Sequence, residues 1–394
     1  MTAIARVLGE VARGERRLTD AEAAEAWRAP FHVLARAANA ARERVTDPRV
    51  VTYVCDRNIN YTNVCNAFCS FCAFYRTEKD KDAYVLSIDE ILAKVEPLVA
   101  LGGTQVLLQG GLNEKAALGY VEDVFRAVKA RFPTVDLHSL TATEIDFFAK
   151  TEGITHEEVL RRLKAAGMRS LPGGGMEILS DRVRARVSPL KSPADVYIDI
   201  HRTAHRLGMP TTATMMFGMG EALEDRIEHW RRVRALQDET KGFTAFIPWT
   251  FQSDGSTALK HPTATADEYL RVIALSRLYL DNIAHVQSGW VTEGPKVAEV
   301  ALACGADDWG GILMEENVIS AAGTLFGMNP AACRRAIRDA GYVPAQRNTY
   351  YEILKRFDAP TEDERPVPPG DRLAVHLGAV GNRGRPARVT LGGR

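Results

Sequence analysis

From about residue 50 to residue 313, short apolar or β-branched runs alternate with longer segments of helical period, and this alternation limits the possible folds more than any other feature. Apolar residues recur every three or four positions in the longer segments, and several of these end in glycine, as at Gly167 and Gly208. The eight strand candidates lie at residues 50–56, 104–109, 135–140, 168–172, 211–217, 243–249, 283–290 and 307–313. This pattern predicts an α/β fold with a parallel sheet, most economically a TIM-type (β/α)8 barrel. An open doubly wound sheet is the alternative, but no GxGxxG motif follows a first strand.

The composition of the two terminal segments predicts an extension at each end of this barrel. Residues 1–48 are rich in helix-forming residues, and Asp20 is suited to a helix N-cap, so an N-terminal helical segment is expected. The barrel is expected over 49–329 and a helical closing segment over 330–359. Proline, glycine and arginine dominate residues 360–394, which predicts a mobile tail.

Charge and cysteine usage argue against several classes of protein. Fifty Lys and Arg balance fifty Asp and Glu, which argues against a nucleic-acid binder with a broad basic surface. We expect no membrane span, because no run of about eighteen apolar residues occurs, and no signal peptide, because the first twenty residues mix charges throughout. Four of the six cysteines lie within eighteen residues, a poor disulfide framework, so we expect a cytoplasmic protein.

Three closely spaced cysteines are the strongest chemical signal in the sequence. Cys65, Cys69 and Cys72 are four and then three residues apart, so one loop can bring them to a soft metal centre. A structural zinc ion would need a fourth cysteine or histidine nearby, and none is evident. Three ligands fit a [4Fe–4S] cluster whose remaining iron is open to a small molecule. Structural zinc and three buried apolar cysteines remain the alternatives.

The triplet has the form CX3CXΦC, with Phe71 before the last cysteine, and resembles the signature of the radical S-adenosylmethionine (SAM) superfamily. The resemblance implies a barrel in which Cys65, Cys69 and Cys72 hold three irons of a [4Fe–4S] cluster, while the fourth iron binds the methionine moiety of SAM. One-electron reduction, from a donor such as flavodoxin or ferredoxin, would then cleave SAM to a 5′-deoxyadenosyl radical. The protein's part would be to bind and orient the reactants and to exclude water.

Further segments resemble one subgroup of that superfamily, over about residues 50–350. It holds the enzymes of the futalosine route to menaquinone and the deazaflavin synthases. DRNINYTN at 56–63, FTAFIPW at 243–249 and EENVISAAGT at 315–324 look most like the futalosine-cyclising family. Dehypoxanthine futalosine would then be the substrate: the radical would remove hydrogen from ribose C4′, and the carbon radical would add to the benzoate ring. Aminofutalosine synthase and deazaflavin synthase are the alternatives, and a zinc-stabilised scaffold is the alternative outside enzymes.

The same resemblance implies cofactor contacts just after the triplet and at one strand end. Phe74 occupies the position that meets the adenine, and Tyr75 follows it, although core packing explains either ring nearly as well. Gly110 and Gly111 would let the backbone approach the methionine amino group closely. An ordinary turn needs the same two glycines.

Polar residues at other strand ends are expected on the same rim of the barrel, where active sites of this fold lie. Thr141 and Glu177 are candidates for the ribose and the methionine amine, against a plain cap or a salt bridge. Arg57 is the candidate for the substrate carboxylate, although it could equally pair with an acidic residue.

The reaction also needs a base for its final proton. His138, Glu144 and His285 are the nominees, each against the simpler interpretation of a core residue with satisfied hydrogen bonds. Cys304 and Cys333 fall in predicted helical regions, and we expect them to be small buried apolar residues.

Overall fold

Three helices precede the first strand of the structure, a computed structural model that describes residues 2–324 and 326–364. They are α1 (Ala3–Ala12), α2 (Asp20–Trp27) and α3 (Phe31–Val45). Thr19 caps α2 through a capping box, in which its side chain and that of Glu22 each accept a hydrogen bond from the other residue's backbone amide. The N-terminal helical extension predicted from composition is confirmed.

Eight parallel strand positions form the wall of a closed barrel. The first position is one extended segment with two halves, β1 and β2, on either side of Cys55. Neighbouring strands pair in sequence order, and single bridges at Leu171–Thr211 and Gln287–Asp308 close the ring. The strands are β1 (Val50–Val54), β2 (Asp56–Asn60), β3 (Gln105–Gln109), β4 (Asp136–His138), β5 (Met168–Ser170), β6 (Thr211–Phe217), β7 (Phe243–Thr250), β8 (His285–Val286) and β9 (Asp308–Gly311). The predicted (β/α)8 barrel is therefore confirmed.

Helices cover the outside of the barrel between successive strands, as parallel strand pairs require. Several begin with a side-chain cap, such as Ser87 on α4 and Thr265 on α11. These helices are α4 (Ile88–Ala100), α5 (Leu118–Arg131), α6 (Ala142–Glu152), α7 (His156–Ala166), α8 (Asp181–Val187), α9 (Ala194–Arg206), α10 (Leu223–Thr240), α11 (Ala266–Tyr279), α12 (Trp290–Glu293) and α13 (Pro295–Leu302). In the part of the chain that is described, no helix is both long and apolar enough to cross a membrane.

The region after the barrel differs from the helical closing segment predicted for 330–359. Only α14 (Pro330–Asp339) is helical there, and β10 (Val343–Arg347) and β11 (Ile353–Arg356) follow it. β10 pairs with β1 from Val50–Val343 to Val54–Arg347, whereas β3 begins opposite Asp56 and, of the two halves of the first strand, pairs with β2 alone. The lower half of the first strand would otherwise have an unpaired backbone edge, and β10 satisfies it. This strand closes the floor of the barrel.

The predicted mobile tail, residues 360–394, lies mostly outside the described residues, which end at Glu364. Its first residues pack against α14: a single 3-10 turn at Glu362–Glu364 buries the Glu364 carboxylate. That carboxylate accepts from Arg334 at 2.9 Å and from Arg338 at 2.8 Å. Residues 360–364, which the prediction assigned to the tail, therefore include a segment packed against α14.

Candidate active site

The three cysteines of the triplet lie on one loop that follows β2. Cys65, Cys69 and Cys72 are free thiols; Cys69 is buried and the other two are partly exposed. Phe68 has φ 47°, and this left-handed residue turns the chain just before the second cysteine. The amide of Cys72 donates to the carbonyl of Cys69 at 3.1 Å. The loop thus presents three soft sulfur ligands within one compact turn.

Arg76, which was not predicted as a site residue, connects the end of this loop to its beginning through hydrogen bonds. Its Nη1 donates to the carbonyls of Ala73, Phe74 and Tyr75 at 3.2, 3.2 and 2.9 Å. Its own carbonyl accepts from the amide of Cys65 at 3.0 Å. The carbonyls of Ala73 and Phe74 share peptide planes with the amides of Phe74 and Tyr75, so these two amides point away from the guanidinium, and both hydrogen-bond to the sulfur of Cys72. An arginine four residues past the last cysteine was the available sequence signal.

Burial and backbone amides set the acidity of two of the thiols. Burial raises the pKa of Cys69 to about 12, against the opposing effect of the nearby Lys191 ammonium. Burial also raises the pKa of Cys72, while the backbone N–H groups of Phe74 and Tyr75 hydrogen-bond to its sulfur and limit the rise. Both thiols are therefore protonated at neutral pH, and a bound metal would have to displace their protons.

The arrangement of the triplet fits a cluster better than a single zinc ion. Three thiolates on one zinc ion, with Zn–S bonds of about 2.3 Å, would bring their sulfurs to roughly 3.8 Å from one another. Within the described ranges, no three His, Cys, Asp or Glu side chains are grouped to hold one metal ion. Sulfurs that ligate different irons of one cluster need no such close approach.

Gly110 and Gly111 follow the end of β3 where it meets the cysteine loop. A Cβ on Gly110 would lie 2.5 Å from the ring of Tyr61, and one on Gly111 would lie 2.1 Å from the carbonyl of Val64 and 2.6 Å from Cβ of Cys65. Any side chain at either position would push the loop away. The close approach seen here is between parts of the protein, and the predicted contact with the methionine amino group remains a prediction.

A cavity of about 250 Å³ lies inside the barrel and extends along β3 from its first residue, Gln105, to its last, Gln109. Its lining also includes Arg347, Tyr351, Trp249 and Ile319. A smaller space of about 60 Å³ beside Cys72 shares Trp249 and Ile319 with it. The cysteine loop therefore borders the cavity.

Several residues that line this cavity carry a buried polar atom with no hydrogen-bond partner among the described residues. Among these atoms are Oδ1 of Asn58, Oγ of Ser288 and the indole nitrogens of Trp249 and Trp309. Buried polar groups in folded proteins are nearly always satisfied, so several unpartnered groups around one cavity indicate a polar ligand. None of these residues was predicted from sequence, because the strand pattern alone does not show which side chains converge.

Glu144, a predicted base, lies behind the turn at Gly110 and is not among the residues that line the cavity. Its Oε1 accepts from the hydroxyl of Tyr61 at 2.9 Å and from the amide of Gly110 at 3.0 Å. Burial raises its pKa to about 7 despite these hydrogen bonds. The predicted cofactor ligand Thr141 caps α6 by accepting from the Glu144 amide at 3.2 Å.

Glu177 is paired with two basic side chains inside the protein. Its Oε1 accepts from Lys191 at 2.7 Å, and its Oε2 lies 3.5 Å from a guanidinium nitrogen of Arg184. Lys191 also lies over the ring of Phe71, 5.3 Å from its centroid. These contacts correspond to the salt-bridge alternative, and they place the ion pair beside the cysteine loop.

His138 is the one predicted base that lines the cavity. Its Nδ1 lies 2.7 Å from the hydroxyl of Ser170. Burial lowers its pKa to about 3, and the charge of Arg347 adds to this effect. The imidazole is therefore neutral at physiological pH, and its low basicity makes it a poor final proton acceptor.

Two predicted site residues do not line the cavity. Arg57 is on the outer face of β2, where its Nη2 donates to Glu315 at 2.7 Å, so the substrate-binding role predicted for it is not supported. The alternation of side chains along β2 turns it outward, between Asp56 and Asn58. His285 shares a strand face with the lining residue Gln287, but its ring stacks on Tyr351 at 3.7 Å and its Nδ1 lies 2.6 Å from Asp307.

Comparison with known proteins agrees with this geometry. Residues 59–233 match the radical SAM superfamily, and residues 240–359 match the CofH/MqnC C-terminal region. A cyclic dehypoxanthine futalosine synthase of Streptomyces coelicolor is 42% identical over 98% of this chain and 96% of its own length. The chain belongs to the radical SAM superfamily. A second such synthase, from Halalkalibacterium halodurans, is 45% identical over 78% of this chain and 84% of its own length.

Among solved structures, methylornithine synthase has the same fold as this radical SAM protein. Its TM-score is 0.68 at 18% identity, over 86% of this chain and 97% of that one. Membership of the superfamily, predicted from the CX3CXΦC pattern, is confirmed, as are the predicted cofactors, because radical SAM proteins use a [4Fe–4S] cluster and SAM. The three thiols and the cavity beside them suit both groups.

Proposed function

We propose that this radical SAM protein is a cyclic dehypoxanthine futalosine synthase of menaquinone biosynthesis. Similarity to a synthase of that name along nearly the whole of both chains carries the proposal. A closed barrel with an enclosed cavity suits the reaction, since a radical and a ring must be held in near-attack geometry away from water.

Cys65, Cys69 and Cys72 would hold three irons of the cluster, leaving the fourth iron for SAM. When bound, these groups supply a 5′-deoxyadenosyl radical able to remove hydrogen from C4′ of the substrate ribose. The backbone N–H groups of Phe74 and Tyr75 stabilise the Cys72 thiolate, and Arg76 keeps them in place.

The cavity would bind and orient dehypoxanthine futalosine. Trp249 and Trp309 each carry an indole N–H, and Ser288 and Asn58 each carry an oxygen, with no partner in the described part of the chain. These donors and acceptors can bind the carboxylate and hydroxyl groups of the substrate. Arg347, the one Lys or Arg among the described residues lining the cavity, is already bound to Asp308 at 2.6 Å.

An external protein would provide the electron that starts each turnover. We propose a one-electron donor such as flavodoxin or ferredoxin. A cytoplasmic location would suit both that donor and the reduced thiols of the cysteine loop.

Anaerobic incubation with dehypoxanthine futalosine, SAM and dithionite, read by mass spectrometry, tests the proposed function. The reaction removes one hydrogen atom, then one proton and one electron, so the product is two hydrogens lighter than the substrate. The same incubation without dithionite is the control. If 5′-deoxyadenosine forms with no product of that mass, the proposed reaction is wrong.

The competing activities are tested in parallel with their own substrates. Aminofutalosine synthase would act on a vinyl ether and bicarbonate, and the deazaflavin enzyme would act on a diaminouracil and tyrosine. Product from either set, and none from dehypoxanthine futalosine, would assign the chain to that activity.

A further inference from the structure

We infer that Asp56 is the base that accepts the final proton of the cyclisation. This inference rests on the function proposed above, because only a reaction that ends with loss of a ring proton needs such a group. It replaces the three bases nominated from sequence, of which only His138 lines the cavity and that one is a weak base.

The position of Asp56 on β2 directs its carboxylate into the barrel. Val54, Asp56 and Asn58 line the cavity, whereas Arg57 between them points outward. The carboxylate is almost fully enclosed, with 3% of the residue exposed. It therefore faces the space in which a substrate would lie.

Among the residues that the structure describes, only uncharged groups hydrogen-bond to this carboxylate. Its Oδ1 accepts from the amide of Leu313 at 2.9 Å, and its Oδ2 accepts weakly from the side-chain amide of Gln105 at 3.4 Å. A Cβ on Gly311 would lie 2.3 Å from Oδ2, so the glycine leaves the space that the carboxylate occupies. A buried carboxylate with no cation bound to it retains the basicity that an ion pair would remove.

The electrostatic surroundings match this role. Burial raises the pKa of Asp56 to about 6, partly opposed by the Leu313 amide and by the charge of Arg347. Asp308 on β9 raises the pKa further, and the thiols of Cys55 and Cys333 also lie near the carboxylate. Asp56 is thus ionised at neutral pH and basic enough to accept a proton.

Asp56 would accept the proton that the substituted ring carbon loses. After the C4′ radical has added to the benzoate ring, the C–H bond at the substituted carbon breaks and its proton passes to Asp56. Both electrons of that bond stay on the ring, and a one-electron oxidant, which the oxidised [4Fe–4S] cluster would supply when bound, would then remove one electron. The ring regains its aromatic sextet, and the protonated Asp56 loses its proton to solvent before the next turnover.

The variant Asp56→Asn keeps the size of the side chain and an acceptor for the Leu313 amide while removing the base. We expect normal iron content and normal 5′-deoxyadenosine formation, with cyclised product per 5′-deoxyadenosine reduced at least tenfold. Frozen samples of the variant should also show a substrate-derived radical by EPR. A merely structural Asp56 would instead lower the melting temperature and leave the product ratio unchanged, and that result would overturn the inference.

Asp136→Asn is the matched control. Asp136 lies level with Asp56, because both pair in register with Gln105, but it does not line the cavity. We expect this variant to keep the wild-type product ratio. If both variants lose product equally, the effect is not specific to the proposed base and the inference fails.

The pH dependence of the wild-type protein gives a second test, which needs no variant to fold. Product per 5′-deoxyadenosine should rise between pH 5 and pH 7 with a midpoint near 6, as Asp56 ionises, and then level off. A ratio independent of pH over that range would overturn the inference. Wild-type protein that forms 5′-deoxyadenosine but no cyclised product at any pH would instead disprove the proposed function.

Discussion

At the scale of single residues, the site depends on thiols and polar atoms beside the cavity that have little or no bonding to the rest of the protein. The three thiols of the cysteine loop are free, and several residues of the cavity wall carry polar atoms with no partner among the described residues. Burying the unpartnered polar atoms lowers the stability of the folded protein, since an unsatisfied buried polar group costs about 1–3 kcal/mol. Bound cofactors and substrate would satisfy them.

The first prediction concerns the ligands of the cluster. Cys65→Ala, Cys69→Ala and Cys72→Ala should each fail to hold about four irons per chain and form no 5′-deoxyadenosine, because two thiolates cannot hold three irons. Cys304→Ala is the control: it removes a buried thiol away from the loop and should keep both properties, at about 1–2 kcal/mol of stability. Iron analysis after anaerobic purification measures the cluster content of each variant. Loss of the cluster from Cys304→Ala alone would contradict the assignment of Cys65, Cys69 and Cys72 as its ligands.

The second prediction separates the two roles of Glu177. Because Lys191 and Arg184 already occupy its carboxylate, Glu177→Gln should lower the free energy of unfolding by about 1–3 kcal/mol. The affinity for SAM, measured by titration against the EPR signal of the reduced cluster, should then change little. A tenfold or larger loss of SAM affinity with unchanged stability would instead assign Glu177 to the cofactor.

At the scale of elements, the floor of the barrel depends on a strand from the far end of the chain. β10 pairs with β1 below Cys55, and β3 pairs with β2 above it. Arg347 at the end of β10 binds Asp308 on β9 through two nitrogens, at 2.6 and 2.9 Å. Both side chains are buried, so this ion pair joins the closing strand to the barrel.

The third prediction tests that junction. Arg347→Met should lower the free energy of unfolding by about 3–5 kcal/mol, since it leaves a buried aspartate without its cation. Arg356→Met on the neighbouring β11 removes an arginine paired with the exposed Asp358 and should cost at most about 1 kcal/mol. Urea unfolding of both variants gives the comparison, and equal costs would show that the junction adds no stability.

The sequence predicted the strands of the barrel wall better than the segment that closes its floor. Thr211–Phe217 is a buried β-branched and apolar run, and such local composition is enough to predict a strand. Val343–Arg347 contains proline, glutamine and arginine, and it becomes a strand because the edge of β1 needs a partner. That partner lies almost three hundred residues away in the sequence, so no local pattern could indicate it.

At the scale of the whole molecule, the barrel brings distant residues to one cavity beside the cysteine loop. The triplet could be predicted because its ligands lie within one loop, as could the family, because the motif is specific. The directions in which the side chains of Asp56 and Arg57 point could not be predicted. The β2 sequence, DRNIN, lacks the alternation of polar and apolar residues that shows which face of a strand is buried. Trp309 and Ser288 reach the cavity only through closure of the barrel.

The fourth prediction tests the central claim, that this chain generates a radical which takes hydrogen from the ribose of its substrate. Dehypoxanthine futalosine carrying deuterium at C4′ should transfer that deuterium to 5′-deoxyadenosine, which becomes one mass unit heavier in step with formation of the cyclised product. Mass spectrometry of a single anaerobic turnover reads both molecules. Unlabelled 5′-deoxyadenosine formed alongside cyclised product would contradict the account.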